Sequence, residues 1–240
     1  MTVSPSLAPL QRPPKAADAP RLVVLGASGG CGSWVVRLAA ARGWQVTATV
    51  RPGSSIAVPA GVQVRVGDVT DVWFLDDVLP DATVVVSALG LRRAGLSPWA
   101  RLLSPPDLTS GVVERLLPVM RWHGVPRLLA ISAGGVAESR SQLSWTMRQV
   151  VDSGNVAVAY RDLERMEATL AASDVDWEVV RPVTLLSGRP TGRATAVDRY
   201  TLTSTVRRAD VAAHLVRRAA SGHPLHTRAV LLGQGATDAR

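Results

Sequence analysis

The sequence predicts an α/β fold, a doubly wound parallel sheet in a single domain. Three observations carry this expectation. Apolar runs of strand length alternate along the chain with amphipathic runs of helix length. The strand runs are continuously apolar, as strands covered on both faces of a parallel sheet are. A glycine-rich turn also joins the first strand to the first helix.

Taken in order, the strands are expected at "LVVLG" (22–26), "WQVTATV" (44–50), "VQVRV" (62–66), "TVVVSAL" (83–89), "RLLAIS" (127–132), "WEVVRP" (177–182) and "AVLLG" (229–233). Helices are expected between them at about 30–42, 71–79, 107–123, 159–173 and 209–220. Gly43 and Gly124 stand where helix stops belong, and Thr70 and Asp107 where N-terminal caps belong. Two stretches break the rhythm, 91–106 after the fourth strand and 133–159 after the fifth. In an open parallel sheet ligands bind beyond the carboxyl ends of the strands. Both insertions begin at that edge, so they are expected to wall a substrate pocket, with "LSWTMRQVV" (143–151) as a short lid helix. Surface decoration is the plain alternative.

Composition narrows the function classes. Residues 1–20 hold five prolines and lack a basic start followed by an apolar core, so they read as a disordered tail rather than a signal peptide. The folded domain is expected over 21–240. No apolar run approaches the roughly 20 residues of a membrane span. The single cysteine, Cys31, rules out an internal disulfide and suits a cytoplasmic setting. A net charge of +8 invites a nucleic-acid reading, but the basic residues are scattered and few aromatics interleave with them. A basic surface that attracts anionic ligands explains the charge better. Of the 27 basic residues only Lys15 is a lysine, and it lies in the tail.

The turn "GASGGCG" places Gly26, Gly29 and Gly32 three residues apart between strand and helix. Such glycines let backbone N–H groups approach a pyrophosphate while the helix N-terminus supplies partial positive charge. A site built for NAD places an acidic residue about 20 positions further on, to hold the ribose 2′-hydroxyl. Here that place is taken by Arg51, and no Asp or Glu occurs between Gly32 and Asp68. A guanidinium there pairs with a 2′-phosphate, which favours NADP. The alternative is a solvated surface arginine. Asp68, in "GDVTD", is placed to reach the adenine edge.

"GASGGCG", "VRP", "GDV", "SALG", "HGVPRLLAISA", "WEVVRP" and "RRADVA" together resemble the atypical short-chain dehydrogenase/reductase families. They are especially similar to the NmrA-like and biliverdin-reductase-B (flavin-reductase)-like group, with its NAD(P)-binding Rossmann fold, over about residues 21–233. The resemblance implies that Gly26, Ser28, Gly29 and Gly32 hold the phosphates, and that Arg51 meets the 2′-phosphate. It further implies that Asp68 and Val69 flank the adenine, that Ala88 to Gly90 line the ribose side, and that Ser132 stands near the nicotinamide.

One departure is informative. Ordinary short-chain dehydrogenases use a tyrosine and a lysine four residues later. This chain has Tyr160 with Glu164 in the lysine's place. A carboxylate there is expected to raise the phenol's pKa instead of lowering it. Tyr160 therefore reads better as a packed or hydrogen-bonding residue than as an acid, and Ser132 stands beside it as the second catalytic candidate. Ser132 could hydrogen-bond a substrate carbonyl or merely satisfy backbone.

Other residues carry weaker expectations. Cys31 is a small residue filling the turn or a redox switch; His123 caps carbonyls; Arg181 touches ligand or braces a loop; Asp210 is a helix N-terminal charge or cap. His214, His223 and His226 lack metal-ligand spacing. Arg92, Arg93 and Arg101 could hold an anionic acceptor, with Trp99 and Trp145 as flat apolar walls. The expected activity is NADPH-dependent hydride transfer directly to a flavin, quinone or other conjugated carbonyl, by a monomer or homodimer without nucleic-acid or membrane partners. The rivals are a non-catalytic NADP(H)-binding sensor or regulator, and an isomerase or cyclase on the same fold.

Overall fold

Continuous valine and leucine runs become strands where both faces find cover. In the computed structural model, which describes residues 19–95, 97–197, 204–225 and 228–234, β1 (Arg21–Leu25), β2 (Gln45–Val50), β3 (Gln63–Val66), β4 (Val84–Ser87), β5 (Arg127–Ile131) and β6 (Asp176–Pro182) fall on the expected runs. Three short strands that the pattern does not signal follow: β7 (Thr184–Leu186), β8 (Ala194–Ala196) and β9 (Thr205–Arg207). β10 (Arg228–Gln234) is the last. The expected tail falls almost wholly outside the described residues.

The main sheet has the order β3-β2-β1-β4-β5-β6-β10-β8, parallel throughout except for the antiparallel β8. β7 and β9 form a separate parallel pair. The chain winds outward from β1 to β3, then returns to place β4 on the other side of β1. The order therefore reverses between β1 and β4, and the crevice beyond that pair of carboxyl ends is where such a sheet accepts a ligand.

Helices cover both faces. In chain order they are α1 (Gly32–Ala40), α2 (Val72–Val78), α3 (Leu108–Trp122), α4 (Trp145–Val151), α5 (Gly154–Ala171) and α6 (Arg208–Ala220), with a 3-10 turn at Ala137–Gln142. Val35, Val36 and Ala39 of α1 pack with Val211, Leu215 and Val216 of α6 against one face of the sheet. Leu75 of α2, Val112 and Leu116 of α3, and Met166 and Leu170 of α5 fill the other.

Gly43 (φ +75°) and Gly124 (φ +66°) end their helices in the left-handed conformation that a terminating residue needs. The N-terminal caps differ from expectation. Asp71 rather than Thr70 caps α2, accepting from the Trp73 N–H at 3.0 Å. Asp107 makes no side-chain cap on α3. The fully buried Asp162 of α5 does that work instead, accepting from the Thr109 and Ser110 N–H groups, each at 2.9 Å, and from both hydroxyls. A carboxylate is favoured there by the helix's partial positive charge, and it locks α5 to α3.

Candidate functional site

The glycine turn leaves β1 at the crevice and enters α1 at Gly32. Gly26 takes φ +78°, and a Cβ there would lie 3.0 Å from the Ala88 carbonyl oxygen and 3.1 Å from Leu89 Cδ2. A Cβ at Gly32 would overlap the Gly26 carbonyl. These two glycines therefore let the turn close on itself and on the exit of β4. Gly29, whose N–H donates to the Gly26 carbonyl at 3.0 Å, is exposed with Ser28 and Gly30, so the outer side of the turn presents bare backbone. Ala27 donates to Thr49 O at 3.1 Å and Ala88 to Leu25 O at 2.9 Å, which hang the turn between the ends of β2 and β4. Among the described residues no side chain caps α1, and its first turn carries no acidic residue. Its partial positive charge is left for an outside anion. A dinucleotide's phosphates fit this cradle.

Arg51 lies exposed just past β2, at the same sheet edge, and its Nη2 donates to Ser54 Oγ at 3.3 Å. Asp68 is exposed just past β3, with Oδ1 accepting from both the N–H and the hydroxyl of Thr70 at 2.8 Å. Its turn is thus held by its own side chain. Val69 differs from the expected adenine-flanking role: its side chain is buried in the core with Leu25 and Leu75, which leaves Asp68 as the exposed member of the pair. Ala88 is half-buried beside the turn. Gly90 is exposed, and a Cβ there would meet nothing within 4 Å.

Ser132 follows β5. Its N–H donates to Val180 O at 2.8 Å, but its buried Oγ has no hydrogen-bond partner among the described residues. A buried hydroxyl without a partner is costly, and where one persists at a sheet edge it points to a group that binding would supply. Gly134 donates to Pro182 O at 2.9 Å, and Tyr160 of α5 donates its hydroxyl to the Gly134 carbonyl at 3.0 Å. The tyrosine therefore braces the loop that carries Ser132. Burial raises the phenol's pKa; the expected contribution from Glu164 does not arise, that residue being exposed one turn further along α5.

Arg181 is a brace. It is buried, with Nε donating to Glu167 Oε1 at 3.0 Å and its guanidinium gripping Glu138 of the 3-10 turn. Burial disfavours its charge, but the two carboxylates outweigh that and hold its pKa above the ordinary value. Asp210 is likewise structural, accepting from the Thr191 and Gly192 N–H groups at 2.7 and 2.9 Å. His123 pairs with Asp76 at 2.8 Å instead of capping carbonyls. His214 pairs with the buried Glu178 at 2.9 Å, and His226 lies outside the described residues. Burial pushes the Cys31 thiol up to about 11, which removes the thiolate that a redox switch needs.

The two insertions meet one another. Asn155 donates its N–H to Pro98 O at 2.7 Å and its side-chain amide to Ala100 O at 2.9 Å, tying 91–106 to 133–159. This link was not legible in the sequence. Trp99 and Trp145 stand largely in solvent. A cavity of about 380 Å³ lies behind Tyr160, lined by Gly135, Val151, Tyr160, Arg161, Glu164 and Arg140 among others. It is separate from the glycine turn, and its charges balance. No helix among the described residues is long and apolar enough to cross a membrane.

The sheet order and the cradle at its reversal define a Rossmann-type dinucleotide-binding protein. The chain belongs to the NAD(P)H-binding family, whose profile matches residues 26–221. Solved structures agree on the fold. The anaerobilin reductase ChuY of Escherichia coli O157:H7 superposes with a TM-score of 0.71 at 24% identity, over 91% of this chain and 99% of that one. A candidate NADH-flavin reductase of Streptococcus pneumoniae gives 0.68 at 21% identity, over 90% and 100%. A short-chain dehydrogenase/reductase of Veillonella parvula gives 0.68 at 13% identity, over 90% and 94%.

Proposed function

We propose that the protein is an NADPH-dependent reductase that delivers hydride directly to a flavin, quinone or other conjugated carbonyl acceptor. The observation that carries this reading is the Ser132 hydroxyl at the carboxyl edge, without a partner among the described residues, together with a tyrosine engaged with backbone and followed by no lysine four residues on. The similarity in fold to an anaerobilin reductase and to a candidate NADH-flavin reductase supports it, because tetrapyrroles and flavins are conjugated acceptors.

When bound, NADPH supplies the hydride. Backbone at Gly26, Ser28, Gly29 and Gly32 holds the phosphates, Arg51 the 2′-phosphate, Asp68 the adenine edge, and Ala88 to Gly90 the ribose side. Ser132 donates its hydroxyl proton in a hydrogen bond to the acceptor's carbonyl or ring heteroatom, which orients the acceptor and stabilises the charge it gains. Tyr160 holds the Ser132 loop in place. The proton that completes the reduction comes from water, so the chain contributes proximity and orientation rather than a strong acid.

The test is NADPH oxidation against a panel of flavins, quinones and enones, alongside direct binding of NADPH and NADH to wild type and Arg51→Asp. Turnover with at least one conjugated acceptor is expected. Wild type should prefer NADPH, and Arg51→Asp should lose about ten- to a hundred-fold in that preference, the worth of a charge-assisted hydrogen bond. Tight NADPH binding without turnover across the panel would refute the reductase reading and leave a sensor. Equal affinity for both dinucleotides would refute the role of Arg51.

A further inference from the structure

We propose that Arg208 is a cofactor-binding residue whose guanidinium closes the anion site over the glycine turn and neutralises the dinucleotide's pyrophosphate, whichever of NADH or NADPH is bound. The proposal rests on the dinucleotide lying at that turn. Its starting point is a steric one. A Cβ built on Gly30 would lie 2.5 Å from Arg208 Cδ and 3.0 Å from Nε, so the arginine side chain lies directly against the exposed crown of the turn. The two residues are far apart in sequence, and only the fold brings them together.

The placement is fixed from behind. Arg208 is the first residue of α6, directly after β9, between the fully buried Val206 and Ala209. Asp210, two residues on, anchors this start of the helix to the 191–192 backbone. The side chain is half-buried, and its Nη1 donates to Ser187 Oγ at 3.2 Å. Among the described residues no carboxylate pairs with it. Asp210 is occupied by Thr191 and Gly192, whereas Arg181 and Arg218 are each matched with buried glutamates.

Electrostatics then supply the reason for an anion. The N-terminus of α1 carries partial positive charge, with neither a side-chain cap nor an acidic residue in its first turn. The guanidinium of Arg208 is close enough to Cys31, the residue preceding that helix, to favour its thiolate against the larger opposing effect of burial. Two positive groups therefore converge on one turn with no negative partner among the described residues. Such an arrangement is unfavourable alone and favourable around an anion. Arg51 serves a different place, past the end of β2 on the ribose side, so the two arginines divide the dinucleotide's charges between them.

That division gives the test. Dissociation constants for NADPH and NADH are measured by calorimetry on wild type, Arg208→Gln, Arg208→Lys and Arg51→Gln, with folding checked by circular dichroism. Arg208→Gln should weaken both dinucleotides by the same factor, about ten- to a hundred-fold, and leave the NADPH/NADH ratio unchanged. Arg51→Gln should weaken NADPH alone. Arg208→Lys keeps the charge on a comparable stem, so it should fold and bind both dinucleotides more tightly than Arg208→Gln but more weakly than wild type. Wild-type affinity for both dinucleotides in Arg208→Gln, or in Arg208→Lys should the glutamine variant not fold, would overturn the proposal. So would a loss confined to NADPH. A wild type that binds neither dinucleotide would overturn the underlying reading as well.

Discussion

Replacing Tyr160 by phenylalanine separates two mechanisms, because the structure gives its hydroxyl one visible task. The hydroxyl donates to the carbonyl of the buried Gly134 at 3.0 Å, and burial raises its pKa, so it is a weaker proton donor than a free phenol. Removing it leaves a buried carbonyl with one partner fewer, at a cost of about 1–3 kcal/mol. In a domain of this size that lowers the melting temperature by several degrees, at roughly 2–4 °C per kcal/mol. The loop carrying Ser132 is also pinned to β6 through the Ser132 and Gly134 N–H groups, so it should keep most of its geometry. Turnover should then fall by less than about tenfold, where loss of a working general acid costs about 10²–10⁴-fold. The assay is steady-state NADPH oxidation with the best acceptor of the panel, beside thermal denaturation and NADPH binding on the same variant. A thousand-fold loss of turnover in a folded variant with wild-type NADPH affinity would refute the bracing role and make Tyr160 the proton donor.

Two further predictions concern the frame of the site. Asp162→Ala strips four hydrogen bonds from the start of α3 and leaves two buried N–H groups unpaired, so stability should fall by more than about 2 kcal/mol in chemical denaturation; an unchanged midpoint would mean that water replaces the carboxylate. Cys31, with its thiol held near 11 against an ordinary 9.0, should resist alkylation in the native protein at pH 8 and react once unfolded. The folded state binds its proton more tightly than the unfolded chain does. Stability from this group is therefore full below pH 9 and declines as pH rises toward 11, an effect that Cys31→Ala should abolish in pH-dependent denaturation.

The fold was legible where burial on both faces writes itself as a continuous apolar run. β1, β4 and β5 are such runs, and Gly43 and Gly124 mark helix ends through the positive φ that only glycine adopts freely. β7, β8 and β9 have three residues each, with mixed polarity such as "TVR" and "ATA", so no period can develop within them. Of the candidate site, the glycine turn, Arg51 and Ser132 could be assigned to the carboxyl edge of the sheet because each directly follows a strand legible in the sequence. Side-chain partners could not. Nothing local distinguishes Asp107, which stands at a cap position and does not cap, from Asp162, which caps a helix it does not belong to. Asn155 joins two loops through hydrogen bonds that depend wholly on how those loops pack.

The same limit explains why the charge of the chain had to be read in three dimensions. With 26 of the 27 basic residues being arginine, residue type alone says nothing about which of them serve a ligand. Their partners do. Arg181 is matched by Glu167 and Glu138, Arg218 by Glu178, and Arg127 by Asp176 and the carbonyls ending α6; each holds parts of the frame together. Among the described residues Arg51 and Arg208 have no carboxylate partner and bond to serine hydroxyls, as Arg92, Arg93 and Arg207 also lack a carboxylate; what sets Arg208 apart is its place against the glycine turn that enters α1. The proposed roles of Arg51 and Arg208 therefore rest on where these side chains stand relative to the strand ends and the glycine turn as well as on their lack of a carboxylate among the described residues. On that proposal the surplus of positive charge serves the dinucleotide as well as reflecting the composition.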